Sequence, residues 1–181
     1  MLENNASLIE KIFLLDGGID EENRKRIAEV SVKYDVPVRL IDTMQIETYL
    51  EKSGIPKYKG SYATYYKLFA LNFLECATER ILYIDADTVI AKSISELINI
   101  DMGNCAVAMA YDALSLRYKM KIGMHTRKYY NGGIILFDYK KWNDLEQKKV
   151  MNHLKQKHGV YAVVDQDILN IVFEKHYFTT L

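Results

Sequence analysis

Arg80-Ile81-Leu82-Tyr83-Ile84-Asp85-Ala86-Asp87-Thr88-Val89 is the stretch on which the reading of this chain turns. Its first half is a short apolar run of the kind that forms a strand covered on both faces. Its second half delivers two carboxylates, one residue apart, where that strand must end. Similar apolar runs stand at residues 11–15, 38–41, 106–110 and 133–137. Between them lie segments with helical spacing. One is opened by Asp20 as N-cap, with Glu21 and Glu22 in the first turn and Ile27, Val30 and Tyr34 on one face. Others cover 46–52, 62–74, 142–157 and 165–174. Strands alternating with helices predict an α/β fold, a single domain over residues 1–181 with a mostly parallel central sheet flanked by helices.

Composition narrows the function classes. The chain has 181 residues, 49% hydrophobic and 27% charged, enough for the core of one domain. Twenty-four basic residues balance twenty-four acidic ones, which argues against a nucleic-acid partner. Cys76 and Cys105 are the two cysteines, so no disulfide framework is expected and no zinc-ligand spacing is present. A cytoplasmic location follows as the default. Residues 1–7 carry neither a basic flank nor an apolar stretch, so no signal peptide is expected, and no apolar run approaches the roughly 20 residues that span a bilayer. His125, His153, His158 and His176 show no ligand spacing and read as surface residues, while Met120 and Met124 read as core fillers.

Four motifs carry the chemistry, each with a plainer alternative. Asp85 and Asp87 at a strand end are placed to share one hard cation, or are simply solvated acids. Tyr129-Tyr130-Asn131-Gly132-Gly133 combines an amide with two glycines that admit positive φ or close approach by a ligand, or is a turn before a strand. In Val163-Val164-Asp165-Gln166-Asp167, Asp165 is a pocket residue or the N-cap of the last helix, with Asp167 favoured by the helix dipole. Ser61-Tyr62-Ala63-Thr64-Tyr65-Tyr66-Lys67-Leu68 lines a polar cleft where Lys67 meets a phosphate, or is an aromatic core stripe with Lys67 reaching solvent.

Taken in order, these pieces resemble the family-8 retaining glycosyltransferases, which use nucleotide-sugar donors on a GT-A fold. The matching runs begin with Ile9-Glu10-Lys11-Ile12-Phe13-Leu14-Leu15-Asp16, the helix start at 62–68 and Tyr83-Ile84-Asp85-Ala86-Asp87. They continue with Lys121-Ile122-Gly123-Met124, Tyr130-Asn131-Gly132-Gly133-Ile134-Ile135-Leu136, Lys140-Lys141-Trp142 and Asp165-Gln166-Asp167-Ile168-Leu169-Asn170. The resemblance implies that Asp85 and Asp87 hold Mn²⁺ (or Mg²⁺). It implies that Asp112, Asn131, Asp165 and Gln166 contact the transferred sugar, with Gln166 and Asp165 as the catalytic pair. Lys67, Ala86 and Gly132 complete the implied donor-contacting set. The implied reaction moves glucose or galactose, with retention, from a UDP-sugar to a glycan, lipid-linked or protein acceptor. An acceptor of that kind adds a peripheral position at the inner membrane face to the expected location.

The departures from the family carry expectations of their own. Lys67 stands where the family often has arginine, keeping the charge and losing the bidentate fork. Neither the family's opening strand with its Asp/Asn-Tyr motif nor its closing histidine-glycine-lysine motif is found. The resemblance therefore implies a domain short at both ends, with an open sheet edge through which another chain associates and no turnover by this chain alone. Two further readings remain beside the transferase: a non-catalytic remnant that binds nucleotide or sugar weakly, and a haloacid-dehalogenase-type phosphatase using Asp85 as nucleophile.

Overall fold

The computed structural model describes residues 1–74, 78–113, 116–126, 128–142, 144–156 and 161–173. A single helical turn α1 (Leu2–Asn5) and a 3₁₀ turn (Ala6–Leu8), neither evident from hydrophobic spacing, precede the first strand β1 (Ile12–Asp16). Helix α2 (Glu21–Tyr34) starts where expected: the Asp20 carboxylate accepts the Asn23 N–H at 2.8 Å. It stops at Asp35, which takes the left-handed conformation at φ 53°. Strand β2 (Val38–Asp42) returns parallel to β1, in register from Ile12 opposite Val38 to Asp16 opposite Asp42. This βαβ unit is loosely built. All five β1 residues are only half-buried and α2 buries none of its residues. Met1, Leu2, Ile12, Leu14, Ile27 and Val30 are among the residues lining an apolar hollow of about 550 Å³ beside it.

After α3 (Met44–Lys52) the chain reaches the segment read as one helix over 62–74. It forms a 3₁₀ turn (Ala63–Tyr65), one α-turn α4 (Tyr66–Phe69) and another 3₁₀ turn (Ala70–Phe73). The reason is burial on every side. Residues 65–71 are all buried, and the Tyr62 and Tyr65 hydroxyls reach back to the Ile55 and Pro56 carbonyls. A tight 3₁₀ winding suits this better than an α-helix with one solvated face.

The remaining elements are β3 (Arg80–Ile84), α5 (Ser95–Ile98), β4 (Val107–Tyr111), α6 (Leu116–Lys121), β5 (Tyr130–Asp138), α7 (Asp144–Gln156) and α8 (Val164–Val172). The short α5 and α6 have no counterpart in the hydrophobic spacing. The α/β class and the helix-flanked sheet are as expected; the strand directions are not. Among the described residues only β1 and β2 run parallel, while β3, β5 and β4 form an antiparallel sheet in that order. On β4 and β5 apolar continuity does report burial on two faces, whichever way the neighbours run, whereas β3, like β1, is only half-buried at all five residues. On β5, Ile135 and Phe137 enter the main core, while Leu136 packs on the other face with Met102 and Ala108. Among the described residues β1 and β3 each pair along one edge only, because the five strands described there fall into two separate sheets.

Smaller expectations divide. Met124 is buried, but Met120 is 68% exposed on the outer side of α6. His125 is exposed and His153 half-buried. Cys105 is a buried free thiol whose pKa burial raises. Cys76, His158, His176 and the expected helix ends at Lys157 and Glu174 lie outside the described residues.

Candidate active site

Because β5 runs antiparallel between its neighbours, its N-terminal end lies beside the C-terminal ends of β3 and β4. Ile84 stands opposite Ile134 and Tyr111 opposite Tyr130. Asp85 and Asp112, each the first residue past its strand, therefore meet Asn131, Gly132 and Gly133 at one end of the sheet. A parallel sheet was expected to gather them at a shared C-terminal edge; an antiparallel one does so by alternating ends.

Asn131-Gly132-Gly133 lies inside β5, not in a turn before it, and neither glycine has positive φ. Close approach is what demands glycine here. A Cβ on Gly132 would stand 3.3 Å from the Gln166 Cβ. A Cβ on Gly133 would stand 3.0 Å from an Asp85 carboxylate oxygen and from the Asn131 side-chain oxygen.

Lys67 organises the cluster. Its ammonium is 3.1 Å from Asp85 Oδ1, 2.8 Å from Asp165 Oδ2 and 2.9 Å from the Gly132 carbonyl, and it lies over the Tyr83 ring. An ammonium has three donors, and all three are spent on protein acceptors. Lys67 is 8% exposed, so its part is to hold the Asp85 and Asp165 carboxylates together while cancelling charge between them. It neither reaches solvent nor offers a free donor to a phosphate.

Asp165 is not the N-cap of α8. Val163 takes that place, and Asp165 sits within the first turn with its second oxygen accepting from Thr64 Oγ1 at 3.0 Å. Gln166 bridges the other side. Its Oε1 accepts the Gly132 N–H at 2.8 Å and its Nε2 donates to Asp112 at 3.1 Å. Asn170 fixes this register, accepting from the Tyr130 N–H and donating to the Tyr130 carbonyl, both at 2.8 Å.

Asp87 is exposed and makes no hydrogen bond or ion pair among the described residues; Ala86 beside it is exposed too. Asp85 is partly exposed. Its Oδ1 is taken by Lys67 and by the Tyr83 hydroxyl at 2.5 Å, while Oδ2 makes no hydrogen bond among the described residues. Burial first, then the bond to Asp85, drives the Tyr83 pKa far above its usual value and keeps the hydroxyl a donor. Asp85 and Asp165 face the one buried ammonium of Lys67, Asp112 is held by Gln166, and Asp87 stands exposed two residues beyond Asp85. The unbonded Oδ2 of Asp85 and the exposed carboxylate of Asp87 are oxygen donors of the kind that suits a hard divalent cation. Among the described residues there is no group of three or more potential metal ligands. A cation here would depend on ligand phosphates or water for the rest of its shell.

Thr64 lies in the run read as lining a polar cleft; sequence reasoning missed the bonds of Tyr83, Tyr118 and Tyr129 and the burial of Asp167. Tyr83 was findable, since a residue two before Asp85 in a strand shares its face. The others come from elements distant in sequence and had no local signal.

A family model described as glycosyl transferase family 8 matches residues 1–179. "General stress protein A" of Bacillus subtilis is 31% identical over 175 residues, covering 93% of this chain and 59% of that protein. "Lipopolysaccharide 1,2-glucosyltransferase" of Escherichia coli K12 is 31% identical over 119 residues, covering 63% of this chain and 35% of that protein. Among solved structures, the galactosyltransferase LgtC in complex with donor and acceptor sugar analogs superposes with a TM-score of 0.75 at 29% identity. That alignment covers 90% of this chain and 59% of LgtC. The chain thus spans about 59% of the length of the first of these relatives.

Proposed function

The chain belongs to glycosyl transferase family 8, and from that premise we propose that it carries the donor-sugar site of a metal-dependent, retaining hexosyltransferase. The donor is a UDP-sugar, glucose or galactose, and the acceptor a glycan, lipid-linked or protein hydroxyl. The observation that carries this reading is the convergence of Asp85, Asn131, Asp165 and Gln166 around Lys67 and Gly132, from four stretches spread over 100 residues of sequence.

Asp85 and Asp87 are the residues that would hold Mn²⁺ or Mg²⁺, Asp85 through the oxygen Lys67 leaves free. A divalent ion there would supply Lewis-acid stabilisation of the departing nucleoside diphosphate. The remaining chemistry is the chain's own. Asn131 and Asp112 offer hydrogen bonds to sugar hydroxyls at the cluster's open side. Asp165, ion-paired and hydrogen-bonded, is held away from reaction and orients the pocket through Lys67 and Thr64. Gln166 is a neutral amide with both ends engaged, a poor nucleophile. That supports attack by the acceptor on the leaving-group face, which retains configuration without a covalent intermediate.

A second reading, donor binding without turnover, is favoured by one observation: all three Lys67 donors are spent on Asp85, Asp165 and the Gly132 carbonyl, which leaves this cation unavailable to the departing diphosphate. A phosphatase nucleophile at Asp85 has less support, since one of its oxygens is tied to Lys67 and Tyr83. Association with another chain through the free edge of β1 or β3 belongs to the same proposal, as does a cytoplasmic site of action near a membrane face. Among the described residues no helix is long and apolar enough to cross a membrane.

The test is calorimetric titration of UDP-glucose and UDP-galactose with and without Mn²⁺, with free UDP followed over hours. Saturable binding that requires the metal supports the donor site. UDP release that stops on chelation adds turnover, and binding without release selects the second reading. Absence of binding by either sugar at any Mn²⁺ concentration overturns both.

A further inference from the structure

Asp167 is fully buried, two residues beyond Asp165 on α8. Its Oδ1 accepts from the Tyr129 hydroxyl at 2.5 Å, and its Oδ2 from the Tyr118 hydroxyl at 2.6 Å and the Val163 N–H at 3.2 Å. The Tyr118 hydroxyl in turn accepts the Ala162 N–H at 2.8 Å. A buried carboxylate is costly unless well paired, and apolar side chains of the same size would fill this space at less expense. What a charged acceptor adds is direction, because short bonds to two tyrosines fix α8 against two other segments at once.

Those segments lead back to the site. The Tyr129 carbonyl accepts the Asp112 N–H at 2.7 Å, and the Asp112 carboxylate accepts from Gln166 Nε2 at 3.1 Å. Gln166 is the residue before Asp167. The bonds therefore close a ring: Asp167 to Tyr129, through its backbone to Asp112, from Asp112 to Gln166, and along α8 to Asp167. Tyr118 braces the ring from α6 and ties down the chain entering α8.

We propose that Asp167, Tyr118 and Tyr129 are positioning residues whose bonds set the Asp112–Gln166 contact. This rests on the proposed function only for assigning Asp112 and Gln166 to the sugar; the geometry is testable whether or not a donor binds.

The chain has four glutamines, Gln45, Gln147, Gln156 and Gln166, so the Gln166 side-chain amide pair can be assigned in a ¹⁵N spectrum by its loss in Gln166→Glu. Tyr129→Phe and Tyr118→Phe each delete one hydroxyl and leave the ring in place. In either variant the Gln166 pair is expected to move toward the shift of exposed glutamines, and its protons to exchange with water about tenfold faster or more. Tyr62→Phe is the control, since it deletes a buried hydroxyl bonded to the Ile55 carbonyl, outside the ring. It should lower the melting temperature comparably and leave the Gln166 pair unmoved. If Tyr129→Phe fails to fold, Tyr118→Phe decides. An unmoved Gln166 pair in the folded tyrosine variants, or an equal displacement in Tyr62→Phe, overturns the proposal. Absence of UDP-sugar binding by the wild type, with the Gln166 pair displaced as expected, would count against the proposed function alone.

Discussion

The β1–α2–β2 unit and the β3–β5–β4 sheet with α8 treat polarity in opposite ways. In the first, apolar residues are left out: Val32 on α2 is 83% exposed, and Ile12, Leu14 and Val38 border a hollow. In the second, polar residues are taken in: Asp165, Asp167 and Asn170 of α8 are all buried with their partners, and so is Lys67, which reaches Asp165 from α4. Burial of a charge is tolerated only where other groups complete it. Where a chain brings in several at once and satisfies them, the arrangement is specified residue by residue. The contrast separates a loosely packed region, whose bonds to the Asp16 carboxylate lie near its surface, from one whose buried polar groups are tied by directed bonds, and the two should respond differently to substitution.

The largest effect is expected at Lys67. Lys67→Ala leaves the 7%-exposed Asp165 carboxylate without its cation, which costs about 3–5 kcal/mol by chemical denaturation. A loss below about 1 kcal/mol would mean the cluster is wetter than described. Next comes Gly132→Ala, whose new methyl must displace Gln166, at about 1–3 kcal/mol. The same change at Gly18, where a Cβ meets nothing within 4 Å and only the positive φ resists, tests strain in the loose unit without a clash.

An alkaline titration sharpens the comparison further. Burial, then the bond to Asp167, pushes the Tyr118 hydroxyl up to about 12. A folded-state pKa above the ordinary value near 10 favours the folded protein while the hydroxyl is protonated. That stabilisation is complete below about pH 10 and is lost as pH rises toward 12. Stability measured across this window should fall less steeply in Tyr118→Phe than in the wild type; identical slopes would remove Tyr118 as a contributor. The smallest effect is expected in the loose unit, where Val32→Ala should change stability by no more than about 0.5 kcal/mol.

The sequence was most informative where physics is local. The Asp20 cap, the strand before Asp85 and the apolar face of α8 follow from spacing and residue type alone. Strand direction was not legible, because the burial that makes 134–137 continuously apolar is the same for parallel and antiparallel neighbours. Nor was the winding of 62–74, decided by aromatic packing from outside the segment. The site divided similarly. Asp85, Asp112, Asn131, Gly132, Asp165, Gln166 and Lys67 were singled out in advance and are brought together, but only coordinates reveal Lys67 spent on two carboxylates. Asp167 reads from the sequence only as a dipole-favoured acid, because its tyrosines lie 38 and 49 residues away.

The central claim is that the carboxylates past β3 form a metal-dependent donor site, and Asp87→Asn tests it most directly. Asp87 is exposed and makes no hydrogen bond or ion pair among the described residues, so the variant should fold with little change in stability. UDP titrated calorimetrically in the presence of Mn²⁺ should bind the wild type and not the variant. Equal Mn²⁺-dependent affinity for UDP in both proteins would contradict the account.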